Sequence, residues 1–83
     1  MNHADRIRQY VKEKHIDVAR KSGAKTIKIR VGDICSEMSL KNRPPAVAGA
    51  LGTNMFEQFA SVKTIGHEGP DVGANTVFTY ELL

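Results

Sequence analysis

With 83 residues and a mass of 9.1 kDa, the chain has room for one small domain, which we place at residues 1–83. Its composition, 41% hydrophobic and 25% charged, is that of an ordinary globular protein, and its length excludes a second domain or a doubly wound nucleotide-binding sheet. It has no apolar stretch of about 20 residues, no basic-then-apolar N-terminal signal and only one Cys. These features predict a cytoplasmic protein without an internal disulfide.

Charge is divided unevenly along the chain. Residues 1–43 carry 11 basic and 5 acidic side chains, whereas residues 44–83 carry one basic and 4 acidic side chains. Such a division suggests that one surface meets an anionic partner. A solvated helix rich in Lys and Arg explains the division equally well.

The first predicted element is a helix over about residues 2–22. Its apolar stripe at helical spacing consists of Ala4, Ile7, Tyr10, Val11, Val18 and Ser22. Ile16 falls outside this stripe and Lys14 falls inside it, so we expect a bend or break near residues 14–17. Gly23 is a suitable terminator of the helix.

Alternating residues then predict a half-buried strand at residues 26–31, with the apolar side chains on one face and Lys28 and Arg30 on the other. Asp33 is a suitable N-cap for a second helix at about residues 34–39. That helix carries Cys35, and Ile34 and Met38 lie on its apolar face.

A third helix is expected to begin at Pro44 and Pro45, because proline is well tolerated in the first turn. Val47 and Leu51 form its core contact. Its exposed face is predicted to consist of Ala46, Ala48, Gly49, Ala50 and Thr53. Residues 54–57 resemble a capping box, which starts either a new helix or a kinked continuation that brings Met55, Phe56 and Phe59 into the core.

The last third of the chain predicts a β-hairpin. Residues 61–65 and 76–82 are rich in β-branched and aromatic residues, and the intervening residues 66–75 contain three Gly and one Pro. In the second strand, Phe78, Tyr80 and Leu82 share one face.

The order of these elements resembles the winged helix-turn-helix superfamily. A short strand precedes the second helix, a turn at residues 40–43 separates the second and third helices, and a hairpin closes the chain. The resemblance implies an α+β fold with three helices and a three-stranded antiparallel sheet, in which the strand at residues 26–31 pairs with the hairpin, or wing. Residues 40–47 are similar to small microbial and phage-type proteins of uncharacterised role. A three-helix bundle with an added hairpin is the competing architecture.

The resemblance also implies binding of double-stranded DNA, with the third helix in the major groove, as in a small transcriptional regulator or repressor that acts as a homodimer. Basic and amide side chains before that helix suit phosphates and base edges. The expected DNA-binding residues are Ser39, Lys41, Asn42, Arg43, Ala46, Thr53, Lys28, Arg30 and Lys63.

Two features favour the alternative, a protein–protein interaction module of a larger complex. The third helix offers few hydrogen-bonding groups, and the predicted wing loop has His67, Glu68, Asp71 and Asn75 but no Lys or Arg. RNA binding is the weakest alternative, because the aromatic residues are needed in the core.

An enzyme is not expected. The three His residues are scattered, and no set of His, Cys, Asp and Glu has the spacing of a metal site. Cys35, on an amphipathic helix, is a small core residue in this interpretation. The sequence therefore predicts no metal, no cofactor, no small-molecule ligand and no membrane partner.

Overall fold

The computed structural model describes residues 3–40, 44–69 and 73–83. In these residues the fold is α+β, with four helices and a three-stranded antiparallel sheet. The first helix consists of α1, a π-helical segment and α2. The elements are α1 (His3–Val11), the π-helical segment (Lys12–Ile16), α2 (Asp17–Lys21), β1 (Thr26–Arg30), α3 (Val31–Glu37), α4 (Pro44–Leu51), α5 (Asn54–Ala60), β2 (Val62–Glu68) and β3 (Val77–Leu82).

Because the first helix contains a π-helical segment, its buried stripe differs from the predicted one. A π turn adds about one residue to a helical turn, so it suits two core residues that are five positions apart. Val11 and Ile16 have this spacing and are both fully buried. Beyond the segment the helical phase has changed, so Ile16 enters the core and Val18, which the sequence placed in the stripe, is 58% exposed.

The strand predicted at residues 26–31 forms β1, but α3 begins earlier than predicted. Val31 is already its first residue, and its amide donates to the carbonyl oxygen of Thr76 at 2.9 Å. Arg30 occupies the N-cap position with extended backbone and no side-chain cap bond. Asp33 therefore lies within the first turn of α3, and its predicted role as the N-cap is wrong. The helix also ends earlier, at Glu37.

The predicted number of three helices is wrong because the chain breaks after α4. Thr53 has extended backbone, and its Oγ1 accepts from the amide of Phe56 at 3.3 Å, so it caps a separate helix, α5. The cap lies one residue before the predicted capping box. Phe56 enters the core as expected, whereas Met55 and Phe59 are exposed.

The sheet has the strand order β1-β3-β2, so β1 pairs with the closing hairpin as predicted. Ile29 lies opposite Phe78, and Thr64 lies opposite Tyr80. A register shift between Thr64 and Gly66 marks a β-bulge, beyond which β2 continues to Glu68, farther than expected.

The core lies between the helices and one face of the sheet. Tyr80 is central to it: its ring lies 5.3 Å from that of Phe56, and its hydroxyl donates to the carbonyl oxygen of Leu51 at 2.9 Å. The other fully buried large side chains are Ile7, Val11, Ile16, Ile29, Val31, Ile34, Val47, Leu51, Phe56 and Val62. Among the described residues, no helix is long and apolar enough to cross a membrane.

Candidate nucleic-acid interface

The predicted DNA-binding residues fall into two groups on different layers of the fold. The first group belongs to the helical layer: Ser39 follows α3, Ala46 lies in the first turn of α4, and Thr53 precedes α5. The second group, on β1 and β2, consists of Lys28, Arg30 and Lys63. The remaining three predicted residues, Lys41, Asn42 and Arg43, lie outside the described residues.

Lys28 and Lys63 share the face of the sheet that is turned away from the helices. Lys28 lies opposite Thr79 on β3, and Lys63 lies opposite Glu81. Because successive strand residues point to opposite faces, these side chains face away from the core side occupied by Tyr80. Both lysines are exposed. α4 lies on the core side of the sheet, where the carbonyl oxygen of Leu51 accepts from Tyr80, so the sheet separates α4 from the two lysines.

Arg30 has internal partners that sequence reasoning missed. Its guanidinium donates to Asp33 Oδ1 at 3.0 Å and to Asn75 Oδ1 at 2.9 Å. Beside it, the amide of Gly32 donates to the carbonyl oxygen of Ala74 at 2.8 Å. Hydrogen bonds from Arg30 and Gly32 thus join the end of the hairpin loop, at Ala74 and Asn75, to the start of α3. Asn75 is 45 residues from Arg30, so no local pattern predicts this bond. Asp33 is three residues away, but it belongs to α3 and Arg30 to β1.

Thr53 also has a structural role. Its hydroxyl donates to the carbonyl oxygen of Ala50 at 3.3 Å and accepts from the amide of Phe56 at 3.3 Å. Both capacities of the hydroxyl are therefore used in the junction between α4 and α5. The signal in the sequence was a Thr two residues after the end of an apolar helix, a residue type favoured at N-caps.

The exposed face of α4 is narrower than predicted. Ala48 and Ala50 are buried in the core, while Pro45, Ala46 and Gly49 are exposed. A Cβ added at Gly49 would meet nothing within 4 Å. The face is thus smooth and uncharged, and another molecule can approach the helix backbone closely.

The end of α3 and the residues just after it line a shallow depression of about 410 Å³, formed by Cys35, Ser36, Ser39 and Leu40. Ser36 and Ser39 are exposed, so their hydroxyls are available to an acceptor such as a phosphate oxygen. Burial raises the pKa of the Cys35 thiol, which therefore stays protonated at neutral pH. The thiolate is the nucleophilic form, so this shift makes Cys35 less reactive than a free thiol.

Several basic residues of the first helix are engaged in ion pairs. Arg8 lies 3.1 Å from Asp5, and Lys12 and Arg20 lie 3.0 Å and 3.4 Å from the two carboxylate oxygens of Asp17. Part of the positive charge in the first half of the chain is therefore neutralised within the molecule. The charge division along the sequence overstates the charge that this helix offers to a partner.

A polar cluster that the sequence did not predict joins the first helix to α3. The Tyr10 hydroxyl donates to Glu37 Oε1 at 2.8 Å, and His15 Nε2 lies 2.7 Å from the same oxygen. The hydrogen bond to the Glu37 carboxylate raises the pKa of Tyr10. Glu37 is 27 residues from Tyr10 and 22 residues from His15, so no local pattern in the sequence predicts the cluster.

The described residues contain no group of three or more His, Cys, Asp and Glu side chains that could hold a metal ion. Comparison of the chain with protein-family models, curated proteins and solved structures finds no match.

Proposed function

We propose that the protein is a winged helix-turn-helix domain that binds double-stranded DNA through α4 and the segment before it. The observation that carries the proposal is the sheet order β1-β3-β2, with β1 inserted between the first helix and α3. This connectivity puts α3, α4 and the hairpin in the order of a winged helix-turn-helix. The separate helix α5 is an addition to the three-helix plan.

The chemistry around α4 supports contacts to the DNA backbone. Residues 38–43 separate α3 from α4 and include Lys41 and Arg43, whose charges suit phosphates. The exposed Ser39 hydroxyl adds a donor. Ala46 and Gly49 offer no side-chain hydrogen bonds to base edges. We therefore expect affinity that depends strongly on salt and weakly on DNA sequence, as in a small regulator or repressor with limited base readout.

The hairpin loop has little positive charge to add. Near its ends stand His67, Glu68 and Asn75, and Asn75 accepts from Arg30. Glu68 carries the wrong sign for a phosphate contact. In this proposal the loop supports α3 through its contacts with Arg30 and Gly32, and α4 with its preceding segment carries the DNA contacts.

The proposal is tested by fluorescence anisotropy with a labelled duplex of random sequence, using variants that each remove one positive charge. We expect Lys41→Ala and Arg43→Ala each to weaken binding about tenfold and to reduce its salt dependence, since each removes a phosphate contact. Lys28→Ala and Lys63→Ala remove the same charge from the outer face of the sheet, so each should change the affinity less than about twofold. Equal losses from all four substitutions, or no salt-sensitive binding at about 50 mM salt, would contradict the proposal.

A second function is favoured by the smooth, uncharged face of Pro45, Ala46 and Gly49. Such a face suits close packing against another helix in a protein–protein interaction module. The two functions differ in their response to salt and nuclease. A protein complex held by this face persists after nuclease treatment and at raised salt, whereas association through DNA is lost under both conditions.

A further inference from the structure

Two neighbouring apolar side chains on α5 are exposed next to α1. Met55 is 60% exposed and Phe59 is 48% exposed, and their i, i+4 spacing puts them on one side of the helix. Together with Asp5, Arg8 and Gln9 they line a groove of about 240 Å³. The other exposed large hydrophobic side chains of the described residues, Val18, Ile65 and Leu83, belong to separate elements or the chain end. Paired apolar exposure in a groove is typical of an interaction surface, whereas single exposed residues are ordinary.

On the first helix, the groove is bordered by a stripe of four residues at i, i+3, i+4 and i+7 spacing: Asp5, Arg8 and Gln9 of α1, and Lys12 at the start of the π-helical segment. Three of them line the groove, and Lys12 borders it, with its Nζ 6.0 Å from the centre of the Phe59 ring. The stripe begins with an acidic residue and ends with a basic one. At 1.5 Å per residue, these two ends are about 10 Å apart along the helix.

We infer that this groove is the interface of a homodimer, in which the α1 helices of two copies cross antiparallel about a twofold axis. With the axis between Arg8 and Gln9, Asp5 of each copy faces Lys12 of the other, so the charge pattern of the stripe is self-complementary. A twofold interface uses the same patch on both copies and therefore requires such self-complementarity. Met55 and Phe59 of the two copies pack together and exclude water from the apolar part of the groove.

This dimer does not depend on DNA, so it is measured without DNA by sedimentation equilibrium over a range of protein concentrations. We expect the mass to rise towards twice the 9.1 kDa of one chain. Phe59→Glu puts a charge into the interface and should raise the dimer dissociation constant at least about tenfold. Val18→Glu is the matched control, because Val18 is 58% exposed on α2 and does not line the groove. It should leave the dissociation constant unchanged.

Two charge reversals test the antiparallel arrangement. Asp5→Lys and Lys12→Asp each place like charges opposite each other in the homodimer, so each variant alone should dimerise weakly. When the two are mixed, every Lys faces an Asp and dimerisation should recover. Within one chain Asp5 also pairs with Arg8, and Lys12 with Asp17, so recovery in the mixture is the decisive result. Three results would overturn the inference: a monomer at all concentrations, equal weakening by Val18→Glu and Phe59→Glu, or no recovery on mixing.

Discussion

Gly32 shows how a single residue without a side chain connects the hairpin loop to α3. A Cβ at this position would lie 2.8 Å from the backbone oxygen of Ala74 and 2.8 Å from Nη1 of Arg30. The guanidinium can swing away, but the backbone oxygen accepts the Gly32 amide and is fixed by that bond. The close approach of loop and helix therefore requires glycine here.

We expect Gly32→Ala to lower the free energy of unfolding by about 1–3 kcal/mol, because the loop must move away from α3. Gly49→Ala is the matched control within another helix. Its new methyl group meets open space, and alanine is the better helix former, so this variant should gain up to about 1 kcal/mol. Urea unfolding followed by circular dichroism measures both. Equal effects of the two substitutions would show that the loop does not press on Gly32.

Tyr80 contributes through its hydroxyl as well as its ring. The side chain is fully buried, and its hydroxyl donates to the carbonyl oxygen of Leu51 at the end of α4. Burial, assisted by the negative charge of Glu57, raises the pKa of Tyr80 well above its usual value. The neutral hydroxyl is therefore strongly preferred in the folded protein.

Tyr80→Phe should lower the free energy of unfolding by about 1 kcal/mol at neutral pH, because the Leu51 carbonyl loses its donor. A raised folded pKa gives stability that is complete below the unfolded value of about 10 and is lost as the pH rises above it. The difference in the free energy of unfolding between the native protein and the variant should therefore become smaller from about pH 9 to about pH 11. Urea unfolding of both proteins across this pH range shows whether the difference falls or rises with pH. A difference that widens with pH would mean that Tyr80 ionises readily in the folded protein.

Among the secondary structure elements, those set by local chemistry were predicted best. The alternation of Ile27, Lys28 and Ile29 predicted β1, and Pro44 correctly predicted the start of α4. Elements set by distant contacts were predicted less well. α3 begins at Val31 because its amide bonds Thr76, a residue 45 positions away that gives no local signal. In the candidate interface, the bond from Arg30 to Asn75, 45 residues away, likewise has no local signal.

Glu57 on α5 contacts a different element, the exposed edge of the sheet at β2. β2 is an edge strand of the sheet, and the amide of Thr64 donates to Glu57 Oε2 at 2.7 Å. The sequence suggested instead that Glu57 closes a capping box. An unpaired amide on an edge strand is a site where another chain can pair, so the carboxylate both satisfies the amide and blocks pairing.

Glu57→Ala should lower the free energy of unfolding by about 1–2 kcal/mol, because the bond from the Thr64 amide to a charged acceptor is lost. Gln58→Ala, the neighbouring substitution on the exposed side of α5, should change it by less than about 0.5 kcal/mol. Thermal unfolding of both variants provides the comparison. If Glu57→Ala and Gln58→Ala changed the free energy of unfolding equally, the Glu57 carboxylate would have no role at the edge of β2.

At the level of the whole molecule, the structure shows which of the basic side chains in the first half of the chain are engaged internally and which are exposed. Ion pairs within the first helix remove part of its positive charge, and Arg30 is engaged with Asp33 and Asn75. Lys28 and Lys63 face away from the helices, whereas the smooth surface of α4 belongs to the helical layer. The central proposal is that only the second surface contacts DNA.

An NMR titration of the isotope-labelled protein with a random-sequence duplex tests that proposal most directly. We predict that the changes in amide chemical shift at low salt cluster at residues 36–53 and become smaller as salt is added. The amide signals of Lys28 and Lys63 should not move. Shifts confined to the outer face of the sheet or to the first helix, or no shifts at low salt, would contradict it.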